Sequence, residues 1–120
     1  MQAGVTILSG LVGEYEGWEP ARAWARAVEM AVVAERLGFT FVWVPDHLRV
    51  VRGPDEAPTF EAFMLLAAIA ERTERLRLGP GVACAGFRNP ALLVKMITSL
   101  DVASGGRAEL PLGAGWHEAE

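Results

Sequence analysis

The chain has 120 residues, 52% apolar and 22% charged, which is enough for one packed core and too short for two domains. The 11 basic and 15 acidic residues leave a formal charge of -4 with no basic block, so the electrostatic footprint of a nucleic-acid binder is absent. The single cysteine, Cys84, excludes an internal disulfide, and Met1-Gln2-Ala3-Gly4 lacks the charged start of a signal peptide.

In chain order, Val5 to Ser9 is a short run ending at Gly10 and predicts a first strand. A loop over Gly13 to Glu19 leads to Pro20, a residue suited to the first turn of a helix because its missing N–H would be unpaired there anyway. Trp24, Ala27, Val28, Ala31 and Ala34 then recur at helical spacing, with Arg22, Arg26, Glu29 and Arg36 on the other face and Gly38 as a stop. Thr40 to Val44 is apolar throughout rather than alternating, the pattern of a strand covered on both faces in a parallel sheet. Pro45 ends it. A polar loop carrying Gly53, Pro54 and Pro58 precedes a second helix from about Phe60 to Arg72. Its apolar stretch, Ala62 to Ala70, is the longest in the chain and too short to span a bilayer. No membrane partner is therefore expected, and the cytoplasm is the expected location.

Leu76 to Ala83 predicts a third strand, interrupted by Gly79-Pro80-Gly81. Asn89 is placed as an N-cap with Pro90 behind it. The third helix carries Leu92, Leu93, Met96, Ile97 and Leu100 on one stripe and stops at Ser104-Gly105-Gly106. Glu109 to Ala114 predicts a fourth strand, followed by Trp116-His117-Glu118-Ala119-Glu120. The order βαβαβαβ implies parallel strands with right-handed crossovers in a single domain over residues 1–120. Two α/β architectures fit it: half of a (β/α)8 barrel, or a small doubly wound sheet.

Both architectures place function at the C-terminal ends of the strands, and that rule selects four segments. Pro45-Asp46-His47 follows the second strand. Histidine exchanges protons near neutral pH, and Asp46 can orient it or cap the next turn. Pro and Asp are equally ordinary turn residues, with the histidine solvated. Gly79-Pro80-Gly81-Val82 either brings backbone close to a flat ligand or forms a plain bulge. Gly113-Ala114-Gly115-Trp116 has two glycines of a dinucleotide fingerprint but lacks the third, and close packing explains them as well. Arg88, in Phe87-Arg88-Asn89-Pro90, reads as an anion contact at a helix start or, more simply, as a solvated surface charge. His47 and His117 are too few for a histidine-rich metal site, and neither a Walker loop nor Gly-x-Ser-x-Gly occurs. The aromatics Trp24, Trp43 and Phe63 sit at core spacing.

Taken together, Glu35-Arg36-Leu37-Gly38-Phe39 through Trp43-Val44-Pro45-Asp46-His47, Arg75-Leu76-Arg77-Leu78-Gly79 through Phe87-Arg88-Asn89-Pro90, and Ser104-Gly105-Gly106-Arg107 through Leu112-Gly113-Ala114-Gly115-Trp116 resemble the luciferase-like monooxygenase family. The likeness runs in order over nearly the whole chain. It implies the N-terminal half, βαβαβαβ, of a (β/α)8 barrel. It also implies an oxidoreductase that binds the deazaflavin coenzyme F-420 or FMN at the strand C-termini. The Asp-His pair after the second strand is most similar to the deazaflavin branch, where His47 would assist hydride transfer to or from an organic small molecule. The same resemblance assigns Asp46, Gly81, Val82, Gly113, Gly115 and Trp116 to the cofactor site, with a cis peptide at Gly81-Val82. An FMN-dependent monooxygenase, served by a flavin reductase, is the alternative enzyme. Members acting on sugar phosphates carry a glutamate where this chain has Trp116, which argues against such a substrate.

Two departures stand out. Pro111 falls inside the predicted fourth strand, where it cannot donate to a ladder. The chain is also shorter than the roughly 250 residues of a complete barrel. A half barrel on its own leaves an apolar inner face and two open edges, so a homo-oligomer, or a non-catalytic half barrel acting through association, is the further expectation.

Overall fold

In a computed structural model describing residues 2–120, three helices cover one face of a parallel sheet. Strand β1 (Gly4–Thr6) pairs with β2 (Phe41–Val44), and β2 pairs with β3 (Arg77–Pro80), all parallel. A shorter parallel pair joins β4 (Ala83–Cys84) to β5 (Leu112–Gly113). Leu78 bridges Ala108, and the Glu109 N–H donates to the Leu78 carbonyl, so β5 continues the same sheet beyond β3. Spatial order therefore follows chain order without reversal. A doubly wound sheet reverses its order at a switch point and carries helices on both faces, so this arrangement is a partial barrel.

The sequence places the helix ends with little ambiguity. Helix α1 (Pro20–Arg36) starts with Pro20 in its first turn, and the Glu19 carboxylate accepts from the Arg22 N–H. Gly38 takes a positive φ just past its end. Helix α2 (Ala62–Arg72) begins two residues later than the periodicity predicts, because the Glu61 carboxylate caps the Met64 N–H. Helix α3 (Pro90–Ser104) runs from the Asn89 cap, which accepts from the Ala91 N–H, to Gly105 in the left-handed region.

Along each strand, alternate residues separate two environments. Val42, Val44, Leu78 and Pro80 point at the helices and meet Leu65, Leu66 and Ile69 in a fully buried layer. Burying a side chain of that size contributes roughly 1.5–3 kcal/mol, so this layer holds the sheet to the helices. Phe41 and Trp43 point the other way and are only half-buried, and on the same face Arg77 pairs with Glu109. The expectation of a strand covered on both faces thus holds for one face of β2 and not the other. Among the described residues no helix is long and apolar enough to cross a membrane.

The predicted third strand is broken. Four residues lie between Leu78 and Ala83 and three between their partners Ala108 and Leu112, so one extra residue bulges from the third strand. Arg77 and Gly81 donate their N–H groups towards β2, whereas Leu78 donates to Arg107 on the other side. The alternation puts the position of Pro80 towards the fourth strand, level with Pro111. Two residues without N–H groups face the same gap in the ladder, and pairing resumes where Ala83 donates to the Pro111 carbonyl. This explains how Pro111 is tolerated, and why only Leu112 and Gly113 of the predicted Glu109–Ala114 strand pair regularly.

The guanidinium of Arg107 closes the opposite end of the layer. It donates to the carbonyls of Ala70, Thr73, Leu76 and Ser104 and to the Thr73 hydroxyl, which serves backbone groups that the ends of α2 and α3 would leave unpaired.

Candidate functional site

The C-terminal ends of β2, β4 and β5 converge on a cleft of about 530 Å³, within the range of small-molecule sites. His47, Val82, Gly115, Trp116, His117 and Glu120 form much of its wall.

Asp46 anchors that wall. Its carboxylate is 1% exposed and accepts from both terminal nitrogens of Arg88 at 2.7 Å and from the Cys84 N–H at 3.0 Å. The Arg88 side chain is 8% exposed, reaches Glu61 at 2.5 Å and lies over the Phe63 ring. Its hydrogen bond to Asp46, and then that to Glu61, hold the guanidinium pKa above its ordinary value against the opposing effect of burial. The solvated Arg88 of the sequence reading is therefore corrected. Two strand-end turns meet, and a buried carboxylate needs a cation. The ends of parallel strands converge, so a rule pairing opposite charges at successive strand ends would have found this pair.

His47 follows Asp46 and turns into the cleft. Its Nδ1 lies 2.8 Å from Glu120 Oε2, and the ring stands edge-on to Trp116 with centroids 5.8 Å apart. Glu120 also accepts from the N–H groups of Leu48 at 2.7 Å and Arg49 at 3.3 Å. Burial works against ionisation of this carboxyl. The bonds from His47, Leu48 and Arg49 outweigh it and hold the group below the usual carboxylate range. Nothing in the sequence pattern marks Glu120, because the contact joins residues 73 apart through a tail with no regular structure.

The opposite wall comes from the bulge. The Gly81–Val82 peptide is cis, as the family resemblance implies, and the Val82 side chain is 49% exposed. Gly81 lines the cleft with backbone alone, and a Cβ there would stand 2.7 Å from the Trp43 Cβ, so the glycine is required by packing beneath the cleft. A Cβ on Gly113 would stand 2.6 Å from Val82 Cγ2, and Gly115 has a φ of +87° with Cys84 Sγ where its side chain would be. These glycines keep Val82 and the tail in place. Trp116 is 74% exposed at the rim. The structure thus brings His47, Gly81, Val82, Gly115 and Trp116 to one cleft, with Gly113 behind Val82 and Asp46 below, its carboxylate turned to Arg88. Among the described residues no group of three His, Cys, Asp or Glu side chains is arranged to hold a metal ion.

The chain is 40% identical over 90 residues to an F-420-dependent glucose-6-phosphate dehydrogenase of Amycolatopsis mediterranei, covering 73% of this chain and 26% of that protein. It is 32% identical over 99 residues to 4-hydroxyprotoasukamycin monooxygenase of Streptomyces nodosus subsp. asukaensis, covering 82% and 26%. The oxygenating constituent of 3,6-diketocamphane monooxygenase from Pseudomonas putida, solved with FMN, superposes with a TM-score of 0.81 at 23% identity over 99% of this chain and 31% of that one, a likeness of fold. The chain spans about a quarter of the length of these curated relatives, which are enzymes using F-420 or catalysing monooxygenation. The sequence model of the luciferase-like monooxygenases matches residues 1–120, and with it the chain belongs to that family.

Proposed function

We propose that this chain supplies the ring-binding and proton-handling part of an oxidoreductase that moves a hydride between the deazaflavin F-420 and an organic small molecule. The observation that carries the reading is the cleft itself, with His47 on one wall and the exposed Val82 on the other. The cleft fits a flat heterocycle. Its volume suits a ring of that size, its walls are apolar at Val82 and Trp116, and glycines stand where side chains would displace Val82 or the tail. Bound there, the deazaflavin would accept or donate the hydride. The chain's own residues would do the rest: Val82 backs one side of the ring space, Trp116 covers the rim, and His47 exchanges the proton that accompanies hydride transfer on the substrate.

In the complete oxidoreductase, His47→Ala is expected to lower the single-turnover rate by about 10²–10⁴-fold, the usual contribution of a positioned acid or base. The dissociation constant for F-420 should change by less than about tenfold, because the ring rests mainly on backbone and apolar walls. An unchanged single-turnover rate would remove His47 from the mechanism.

A second reading is an FMN-dependent monooxygenase with a small-molecule substrate and a partner flavin reductase, and likeness to 4-hydroxyprotoasukamycin monooxygenase favours it. Oxygen uptake with each reduced cofactor separates the two: consumption with FMN and none with F-420 selects the monooxygenase.

A further inference from the structure

We infer that Glu120 is a positioning residue for His47, its carboxylate fixing the imidazole as the Nδ1–H tautomer and leaving Nε2 as the ring atom that exchanges protons in the cleft. The inference rests on the role proposed above for His47, but its structural content can be tested without it.

An ionised carboxylate accepts and cannot donate. Oε1 of Glu120 is occupied by the N–H groups of Leu48 and Arg49, and Oε2 faces His47 Nδ1 at 2.8 Å. Nδ1 must therefore carry the hydrogen, and in the neutral ring Nε2 is then bare. Among the described residues Nε2 has no hydrogen-bond partner, while the ring borders the cleft. The Glu120 side chain is 2% exposed, so its oxygens are largely shielded from solvent. The other charged or titratable groups facing it are Arg49 and His117, whose Nδ1 stands 3.7 Å from Oε2, beyond hydrogen-bond reach. Asp46, adjacent to His47 in sequence, is engaged by Arg88 and does not compete for the ring.

The geometry also fixes the response to an isosteric change. In Glu120→Gln the amide oxygen is needed by Leu48 and Arg49, which turns the amide NH2 towards His47 Nδ1. A donor then faces a donor, and the ring must move its hydrogen to Nε2. The substitution should invert the tautomer while keeping shape. An Asp-to-Asn change beside a catalytic histidine acts in this way in serine proteases.

The test is nitrogen NMR of the full chain labelled with 15N-histidine, at about pH 9, where an ordinary imidazole is neutral. His117→Asn distinguishes the two histidines. The expected wild-type spectrum has a protonated Nδ1 and a bare Nε2 at His47, and Glu120→Gln exchanges the two signals. A wild-type ring protonated at Nε2 would overturn the inference, as would a Glu120→Gln spectrum unchanged at His47 in a protein with wild-type amide dispersion. Because the wild-type spectrum decides by itself, a variant that failed to fold would not remove the test. In the complete oxidoreductase, Glu120→Gln should lower the single-turnover rate by about tenfold or more with cofactor affinity unchanged. A histidine with the inferred tautomer whose His47→Ala variant turns over normally would leave the positioning intact and refute the proposed role of His47 instead.

Discussion

Asp46 and His47 are neighbours in sequence and do different work. Asp46 is spent on Arg88 and the Cys84 N–H, and its contribution is to lock the second and third strand-end loops together. Removing Asp46 leaves the largely buried Arg88 guanidinium with the more exposed Glu61 as its one remaining carboxylate. Asp46→Ala is expected to cost about 3–5 kcal/mol of unfolding free energy, read as a lower urea midpoint at constant slope. The double variant Asp46→Ala/Arg88→Met should cost less than the sum of the single variants, since no fully buried charge is then stranded and the half-open Glu61 carboxylate stays in reach of water. Additive losses would mean that the two side chains do not act as a pair. Here the sequence was only partly legible. The strand-end rule found Asp46 and His47, but the partners that give them their states, Arg88 and Glu120, lie 42 and 73 residues away. Periodicity and local motifs carry no information about such pairings.

At the level of elements, the helices were readable because their signals are local. Pro20, Gly38, Asn89 and Gly105 each act within one turn of where they stand. The third and fourth strands were less readable, because the bulge and the facing prolines are properties of the pair and not of either strand. Glu35, near the end of α1, makes a further connection that sequence does not announce. Its carboxylate accepts from the N–H groups of Glu74, Arg75 and Leu76, tying α1 to the turn before β3. Burial opposes its charge, and the donors from Arg75, Leu76 and Glu74 outweigh burial, so its pKa lies below the ordinary 4.5. A carboxyl depressed in the folded state contributes stability that is complete above its unfolded pKa and is lost as pH falls through the folded one. Glu35→Gln is therefore expected to lower stability at pH 7 and to flatten the decline below about pH 4.5. Urea midpoints at pH 7, 4 and 3 check this, and parallel declines for both proteins would sink it.

For the whole molecule, the helices bury one face of the sheet and leave the other half-covered. Phe41 and Trp43 line that open face, and Leu112, on an edge strand, is 59% exposed. Open edges and apolar faces of this kind associate. The 120-residue chain by itself is expected to elute from size-exclusion chromatography as dimers or larger species, shifting towards monomer on dilution. A monodisperse monomer at all concentrations would show that Arg77, Glu109 and the half-buried aromatics are enough to keep the face in water.

The bond between His47 and Glu120 also has a place in time. A ribosome emits the chain at about 5–20 residues per second, N-terminus first, so the histidine is made several seconds before the carboxylate that holds it. During that interval β2, α2, β3 and α3 can dock on one another, while the imidazole lacks its carboxylate partner. The contact that orients the ring is thus made later than the strands and helices that carry the ring.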